Sequence, residues 1–203
     1  MLSQAGEELK FLLDRGYNRE SALRFVSNHY ELPKKARNRI LREIFSEAEI
    51  QETASKLYPI NSISGNQMVV DGFNVLITVE EGMCGGDVFR CHDGLLRDNA
   101  MAFSNYRISS DTNRAADAVL AVLSEHQPKH VTWVFDSQIS GSGRLAEYVR
   151  RGMLDSGIRG ESMTSPKADG HIMKMNLLTG TSDSALIRRL NYVVDIPSAV
   201  VDL

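Results

Sequence analysis

Three short runs in this chain each close on an aspartate: Val69-Val70-Asp71, Val134-Phe135-Asp136 and Thr181-Ser182-Asp183. If the runs are strands of one parallel sheet, their carboxyl ends share an edge, and open α/β sheets bind ligands in the crevice outside that edge. A fourth acid, Asp169, opens a helix-like segment just before the last of the three. Carboxylates gathered in one crevice repel each other and hold their protons more tightly, a cost that a divalent cation relieves. Magnesium and manganese are the natural guests, because both prefer oxygen ligands: a few carboxylates, with water and substrate phosphate completing the shell. Such an ion can activate water and steady the leaving oxygen in phosphodiester hydrolysis. An aspartate after a strand is also a favoured helix cap. Capping accounts for any one of these residues, but it does not predict an acid after nearly every candidate strand.

Positioning such acids takes strands alternating with helices, and the chain alternates from Met68 onward. Apolar runs at Met68 to Val70, Val88 to Cys91, Val131 to Phe135, Leu177 to Thr181 and Tyr192 to Ile196 read as strands. Between them, helix-like stretches carry Ala115, Val119, Leu120 and Leu123 on one side, then run from Arg144 to Leu154, near Asp169 and near Leu186. This order predicts a parallel sheet covered by helices. Residues 1–50 instead read as helices only. Leu9, Leu12 and Leu13 share a face before a stop at Gly16, Asn18 caps a second helix with Ala22, Phe25 and Val26 inward, and Pro33 opens a third with Ile40, Leu41, Ile44 and Phe45 buried. From 51 to 66 the periodicity fades among Pro59, Asn61, Ser62, Ser64 and Gly65, which reads as a linker. The expected organisation is a small all-α domain over 1–50, a linker over 51–66 and an α/β domain over 67–203.

Other residues bear on ligands. Ser140-Gly141-Ser142-Gly143-Arg144 follows the strand of Asp136, where backbone amides and the guanidinium could cradle a phosphate at a helix start. Lys34, Lys35, Arg37, Arg39 and Arg42 could touch phosphates, although Glu43, Glu47 and Glu49 make a solvated helix face the plainer reading. Cys84, Cys91 and His92 do not make a zinc site, which wants four closely spaced ligands. His171 could shuttle a proton or lie on polar surface.

The composition sets bounds. With 203 residues, 42% of them hydrophobic and 24% charged, the chain can bury a full core. A net charge of −3 gives no global attraction to nucleic acid, so any such binding must be local. No apolar run approaches the roughly 18 residues that cross a bilayer. The start, with Ser3, Gln4, Glu7 and Glu8, lacks a basic then apolar leader. Two cysteines build no disulfide framework. A soluble cytoplasmic protein is expected, away from the membrane, with self-association left open.

Val70-Asp71-Gly72-Phe73-Asn74-Val75 resembles the first-strand signature of the PIN-like and NYN nuclease domains. Val134-Phe135-Asp136 resembles that superfamily's second acidic strand, Lys167-Ala168-Asp169 its acid at a helix start, and Thr181-Ser182-Asp183 its closing motif. The resemblance runs from Met68 to about Asp195. It implies a PIN-like, Rossmannoid fold and a magnesium- or manganese-dependent endoribonuclease acting on RNA. Asp71, Asp136, Asp169 and Asp183 would be its catalytic metal ligands, with Asn74 and the hydroxyls of Thr181 and Ser182 orienting ligand or phosphate. It also implies a mid-chain acid, for which Glu80, Asp93 and Asp98 compete and Asp98 is preferred; Asp93, Arg97 and Asp98 could equally be a turn and a surface salt bridge. The chain departs from the pattern at Gly170, where related domains often carry a second acid, and in the short gap from Asp169 to Asp183. A PIN-like module that has lost catalysis and binds RNA or regulates is therefore the second reading. A haloacid-dehalogenase-like phosphatase is the third, but it needs two aspartates one residue apart, and Gly72 and Phe73 follow Asp71. Farther upstream, Leu12-Leu13-Asp14-Arg15-Gly16-Tyr17 and Ser21-Ala22-Leu23 resemble a prokaryotic family catalogued as domain of unknown function 434, a name that implies no activity.

Overall fold

A computed structural model describes residues 2–100 and 106–201. Four helices come first: α1 (Leu2–Asp14), α2 (Arg19–His29), α3 (Lys34–Glu43) and α4 (Glu47–Lys56). Asn18 caps α2 by accepting the Ser21 amide at 3.1 Å. Ser46 and Glu49 form a reciprocal capping box on α4, satisfying amides that a helix start otherwise leaves without partners. Ala5, Leu9, Leu13, Ala22, Val26, Ile40 and Ile44 make a core that belongs to α1, α2 and α3 and their junctions. Phe25 and Leu41, expected to be buried, are instead 65% and 37% exposed. Helices this short enclose only a narrow interior, and residues on the flank of each apolar stripe stay outside it.

The stretch expected as a linker is structured: α4 runs to Lys56, strand β1 (Leu57–Tyr58) follows, and a 3-10 turn covers Ile60–Ile63. The periodicity fades there because α4 buries only Thr53, so no apolar stripe marks it. Then come β2 (Gln67–Asp71), α5 (Gly72–Met83), a hairpin of β3 (Val88–Arg90) and β4 (Leu96–Asp98), and α6 (Ser110–His126). The rest is β5 (His130–Asp136), α7 (Ser142–Asp155), β6 (Gly160–Ser165), α8 (Ala168–Met175), β7 (Leu178–Gly180), α9 (Ser184–Ile187), β8 (Val193–Val194) and α10 (Pro197–Val200).

Six strands form one sheet in the order β1-β8-β7-β2-β5-β6, with every neighbouring pair parallel. The expected α/β architecture, a parallel sheet flanked by helices and preceded by a helical region, is what the chain adopts. Side chains alternate across the pleat. Met68, Val70, Val131, Trp133 and Phe135 pack with residues of α5, α6 and α7, while Val69 and Val134 pack with Ala168 and Ile172 of α8 and Leu186 and Ile187 of α9. From β2 the chain proceeds to β5 and β6, then returns to place β7 on the other side of β2. The carboxyl ends of β2 and β7 therefore flank a point where the strand order reverses, the usual place for a ligand crevice. The span from Asp169 to Asp183 suffices because α8 has eight residues and β7 has three. Among the described residues no helix is long and apolar enough to cross a membrane.

Candidate active site

Asp71 is the last residue of β2, and α5 begins on the next residue. Gly72 makes that junction possible: a Cβ there would lie 2.3 Å from the Phe135 ring, so α5 can start tight against β5 only without a side chain. In the register, Val70 pairs with Gly180 of β7, which brings Thr181 beside Asp71. The Thr181 hydroxyl donates to Asp71 Oδ2 at 2.8 Å and accepts the Asp183 amide at 3.1 Å. Asn74, in the first turn of α5, accepts the Ser182 amide at 2.7 Å and the Ser182 hydroxyl at 3.1 Å on its Oδ1. Asp183 caps α9 by accepting the Leu186 amide at 2.8 Å. Asn74, Thr181 and Ser182 are all buried, and Asn74 Oδ1 and the Thr181 and Ser182 hydroxyls bond to one another and to Asp71. Thr181 thereby holds Asp71, and Asn74 with Ser182 holds the loop that carries Asp183, as buried polar groups find partners within the protein.

Two acids that end strands, Asp71 and Asp136, and two at helix starts, Asp169 and Asp183, act on one another's charge. Burial raises the Asp71 carboxyl to about 7; the Thr181 bond opposes the rise, and the charges of Asp183 and Asp169 add to it. Asp169 is also raised, first by burial and then by Asp183 and Asp136. Each of the four is thus coupled to at least one other. None of them makes an ion pair among the described residues, and the Asp136 carboxylate accepts the Gln138 amide at 2.8 Å.

Asp136 also lines a cleft of about 1350 Å³ between the start of α7 and the segment leading into α6. Tyr106, Arg107, Ser109, Ser140, Arg144 and Tyr148 line it as well. Glu80 braces this wall from α5: it accepts the Tyr106 hydroxyl, and the Thr112 hydroxyl at 2.8 Å. Ser140 and Arg144 therefore stand where the sequence reading put them, beside Asp136. Ser142, the first residue of α7, does not line the cleft; it is buried, with its amide on the Ile139 carbonyl at 3.1 Å. Arg107 was missed. Its one signal is its place just before Ser109, whose hydroxyl caps α6 by accepting the Asp111 and Thr112 amides.

Of the mid-chain acids, none joins the four. Asp98 accepts Thr78 Oγ1 at 2.8 Å, the Ala100 amide at 2.9 Å and Arg42 Nη2 at 3.3 Å. Asp93 is locked to Arg97 in a pair that is buried, so of the two readings left open the salt bridge holds, but inside the protein and not at its surface. Part of the basic face of α3 is similarly engaged: Arg39 meets Asp87 at 2.9 Å and Glu43 at 2.6 Å, and Lys35 meets Asp87 at 3.3 Å. Arg39 and Lys35 thus help dock the hairpin, while Lys34 and Arg37 are exposed. Burial pushes the Cys91 thiol up to about 11, which suits packing and not metal. His171 is half-buried, in the second turn of α8.

An all-oxygen donor set in which burial and neighbouring carboxylates raise the proton affinity of Asp71 and Asp169 fits magnesium or manganese. Among the described residues no three His, Cys, Asp or Glu side chains close on a single point as a ready cage, so water must complete any shell, as magnesium sites commonly have it.

Residues 60–199 match the family described as a domain of unknown function (DUF5616), and residues 1–56 match the one described as a protein of unknown function (DUF434). Neither description names a PIN or NYN nuclease. Over 203 aligned residues the chain is 34% identical to an uncharacterised protein of Methanocaldococcus jannaschii, covering 99% of this chain and 97% of that one. No solved structure matches it.

Proposed function

This chain belongs to the DUF5616 family, and for it we propose metal-dependent hydrolysis of RNA phosphodiester bonds at the carboxyl edge of the sheet. One observation supports the reading: four carboxylates that make no ion pair among the described residues lie within reach of one another's charge, with only Arg189 acting on Asp169 from a distance, and one of them, Asp136, opens into a cleft lined by Arg107 and Arg144. Acids arranged this way are costly for folding and useful to a divalent cation. Asp71, Asp136, Asp169 and Asp183 would hold magnesium or manganese with water, and the bound ion would supply Lewis acidity toward the phosphodiester and a more acidic water. Thr181 keeps one oxygen of Asp71 oriented, and Asn74 with Ser182 holds the loop that carries Asp183. Arg144 and Arg107 would hold phosphates next to the scissile one, and Tyr106 and Tyr148 offer ring surface to bases. The reading places the reaction in the cytoplasm.

A second reading is an RNA-binding or regulatory module without catalysis. Gly170 favours it, since α8 supplies one acid to the edge where a pair was expected. Incubation of the purified protein with labelled single-stranded and hairpin RNAs, with manganese, magnesium or chelator, separates the two. Cleavage that needs the metal and disappears in Asp71→Asn and Asp136→Asn is the expected result. RNA retained in the cleft but never cut under either metal would leave the binding module.

A further inference from the structure

The buried pair of Asp93 and Arg97 takes no part in the proposed reaction, yet its contacts lead to the site. Both residues are nearly inaccessible, at 4% and 2% exposure. Arg97 Nη1 and Nη2 donate to the two Asp93 oxygens at 2.6 and 2.7 Å, a two-pronged geometry that fixes the guanidinium plane. The Nε–H is left over, and it donates to the Ser182 carbonyl at 2.7 Å. Ser182 then holds Asn74 through its amide and hydroxyl, while its neighbour Thr181 holds Asp71.

At its other end the pair meets the N-terminal helices. The Phe45 ring, between α3 and α4, has the Arg97 guanidinium 4.9 Å from its centroid and the Arg19 guanidinium at 5.0 Å. Around it, Arg42 holds Asp98 at 3.3 Å, Asn38 holds Asn99 at 2.7 Å, and the His92 amide donates to the Glu43 carbonyl at 2.9 Å. The hairpin is therefore clamped on one side by α3 and bonded on the other to the loop of the acidic site. A buried ion pair is a weak source of stability, because desolvation offsets most of its attraction. What an apolar pair could not supply is the directed bond to the Ser182 carbonyl.

We propose that Arg97 is a positioning residue for the acidic site, through which the seating of the N-terminal helices fixes the 181–183 loop. The proposal rests on the acidic cluster described above; its structural half needs neither metal nor RNA. Arg97→Lys keeps a charge opposite Asp93 but removes the planar third donor. In the full chain this variant should shift the Ser182 and Thr181 amide resonances, weaken manganese affinity measured by calorimetry about tenfold, and lower kcat about tenfold. RNA affinity in chelator should stay within about twofold, because the cleft is untouched. Phe45→Leu, which removes the ring beneath the guanidinium and keeps an apolar side chain, tests the relay from the helical side should the lysine variant fail to fold. It should move the same two amides. Wild-type Ser182 and Thr181 resonances and wild-type manganese affinity in whichever of these variants folds would overturn the proposal, even with a lowered melting temperature. Shifted amides in a protein that cuts no RNA would leave the relay standing and remove only the nuclease reading.

Discussion

On the hairpin, Asp87 faces Arg39 at 2.9 Å and Lys35 at 3.3 Å, Asp93 faces Arg97 at 2.6 Å, and Asp98 faces Arg42 at 3.3 Å. At the carboxyl edge of the sheet, drawn from well-separated parts of the chain, Asp71, Asp136, Asp169 and Asp183 lie within reach of one another's charge. The side chain is the same and its company is reversed. Asn99, with Lys35 and Arg39, holds the Asp87 carboxyl below its usual range, whereas burial and like charge lift Asp71 to about 7. The hairpin uses its acids to dock one region onto another. The edge keeps its acids unpaired, a local cost that the rest of the fold must outweigh and that a cation would remove.

The largest expected effect is on chemistry. Asp71→Asn and Asp136→Asn should each lower metal-dependent RNA cleavage by at least about a thousandfold, equivalent to about 4 kcal/mol of barrier. If the contrast holds, Asp71→Asn should also raise the melting temperature at pH 8 in chelator, by up to about 4 kcal/mol of stability, since a raised carboxyl opposes folding once ionised. A destabilised Asp71→Asn would show that this acid is paired after all. Asp93→Asn should have the opposite sign, losing about 3–5 kcal/mol in urea denaturation, because it strands the buried Arg97 charge.

The pH dependence sharpens the same contrast. Asp71 keeps its proton in the folded state between about 4 and 7, where the unfolded chain has lost it, so its contribution makes stability fall as pH rises through that window. The depressed carboxyl of Asp87 acts the other way: its contribution is present above the ordinary carboxylate range and lost as pH falls. Melting in chelator should show both limbs, and manganese should flatten only the alkaline one. A smaller effect is expected in the cleft, where Arg144→Ala should weaken RNA binding about fivefold to tenfold and lower the salt slope by about 1. Binding that ignores this change would take the cleft out of the substrate path. The smallest is Gly170→Glu. Its Cβ would meet nothing nearer than the Lys167 Cβ at 3.9 Å, so stability should change by no more than about 1 kcal/mol, while metal affinity should rise if α8 was one acid short.

Strand-end aspartates were legible because each closed a run of residues buried on both faces of the sheet, which leaves a continuous apolar signal. The helix α5 was not, since Phe73-Asn74-Val75-Leu76-Ile77-Thr78-Val79 is buried throughout and has no polar face to give it a period of 3.6. Strand β6 escaped for the opposite reason: Gly160–Ser165 lies at the sheet edge, largely exposed, and reads as polar. Helix α4 had a signal, the Ser46…Glu49 box, which the neighbouring prolines and serines outweighed. The role of Arg97 could not be read at all. Its partner Asp93 is four residues away, but the Ser182 carbonyl is 85 residues away, and no local pattern announces a contact closed by the sheet.

Strand β1 leaves the end of α4 and, among the described residues, pairs with β8 alone, Leu57 against Val193 and Tyr58 against Val194. The two are among the most widely separated partners in the chain, and loop closure of that size is slow relative to the local packing of α1, α2 and α3. During synthesis the helical head can therefore fold while its exit strand waits for a receiver that leaves the ribosome more than a hundred residues later. Cutting the chain before Tyr192 would leave that strand with no place in the sheet, and the head would be held by the hairpin and by α4, whose Lys56 and Glu49 reach the Ile187 carbonyl and Arg188.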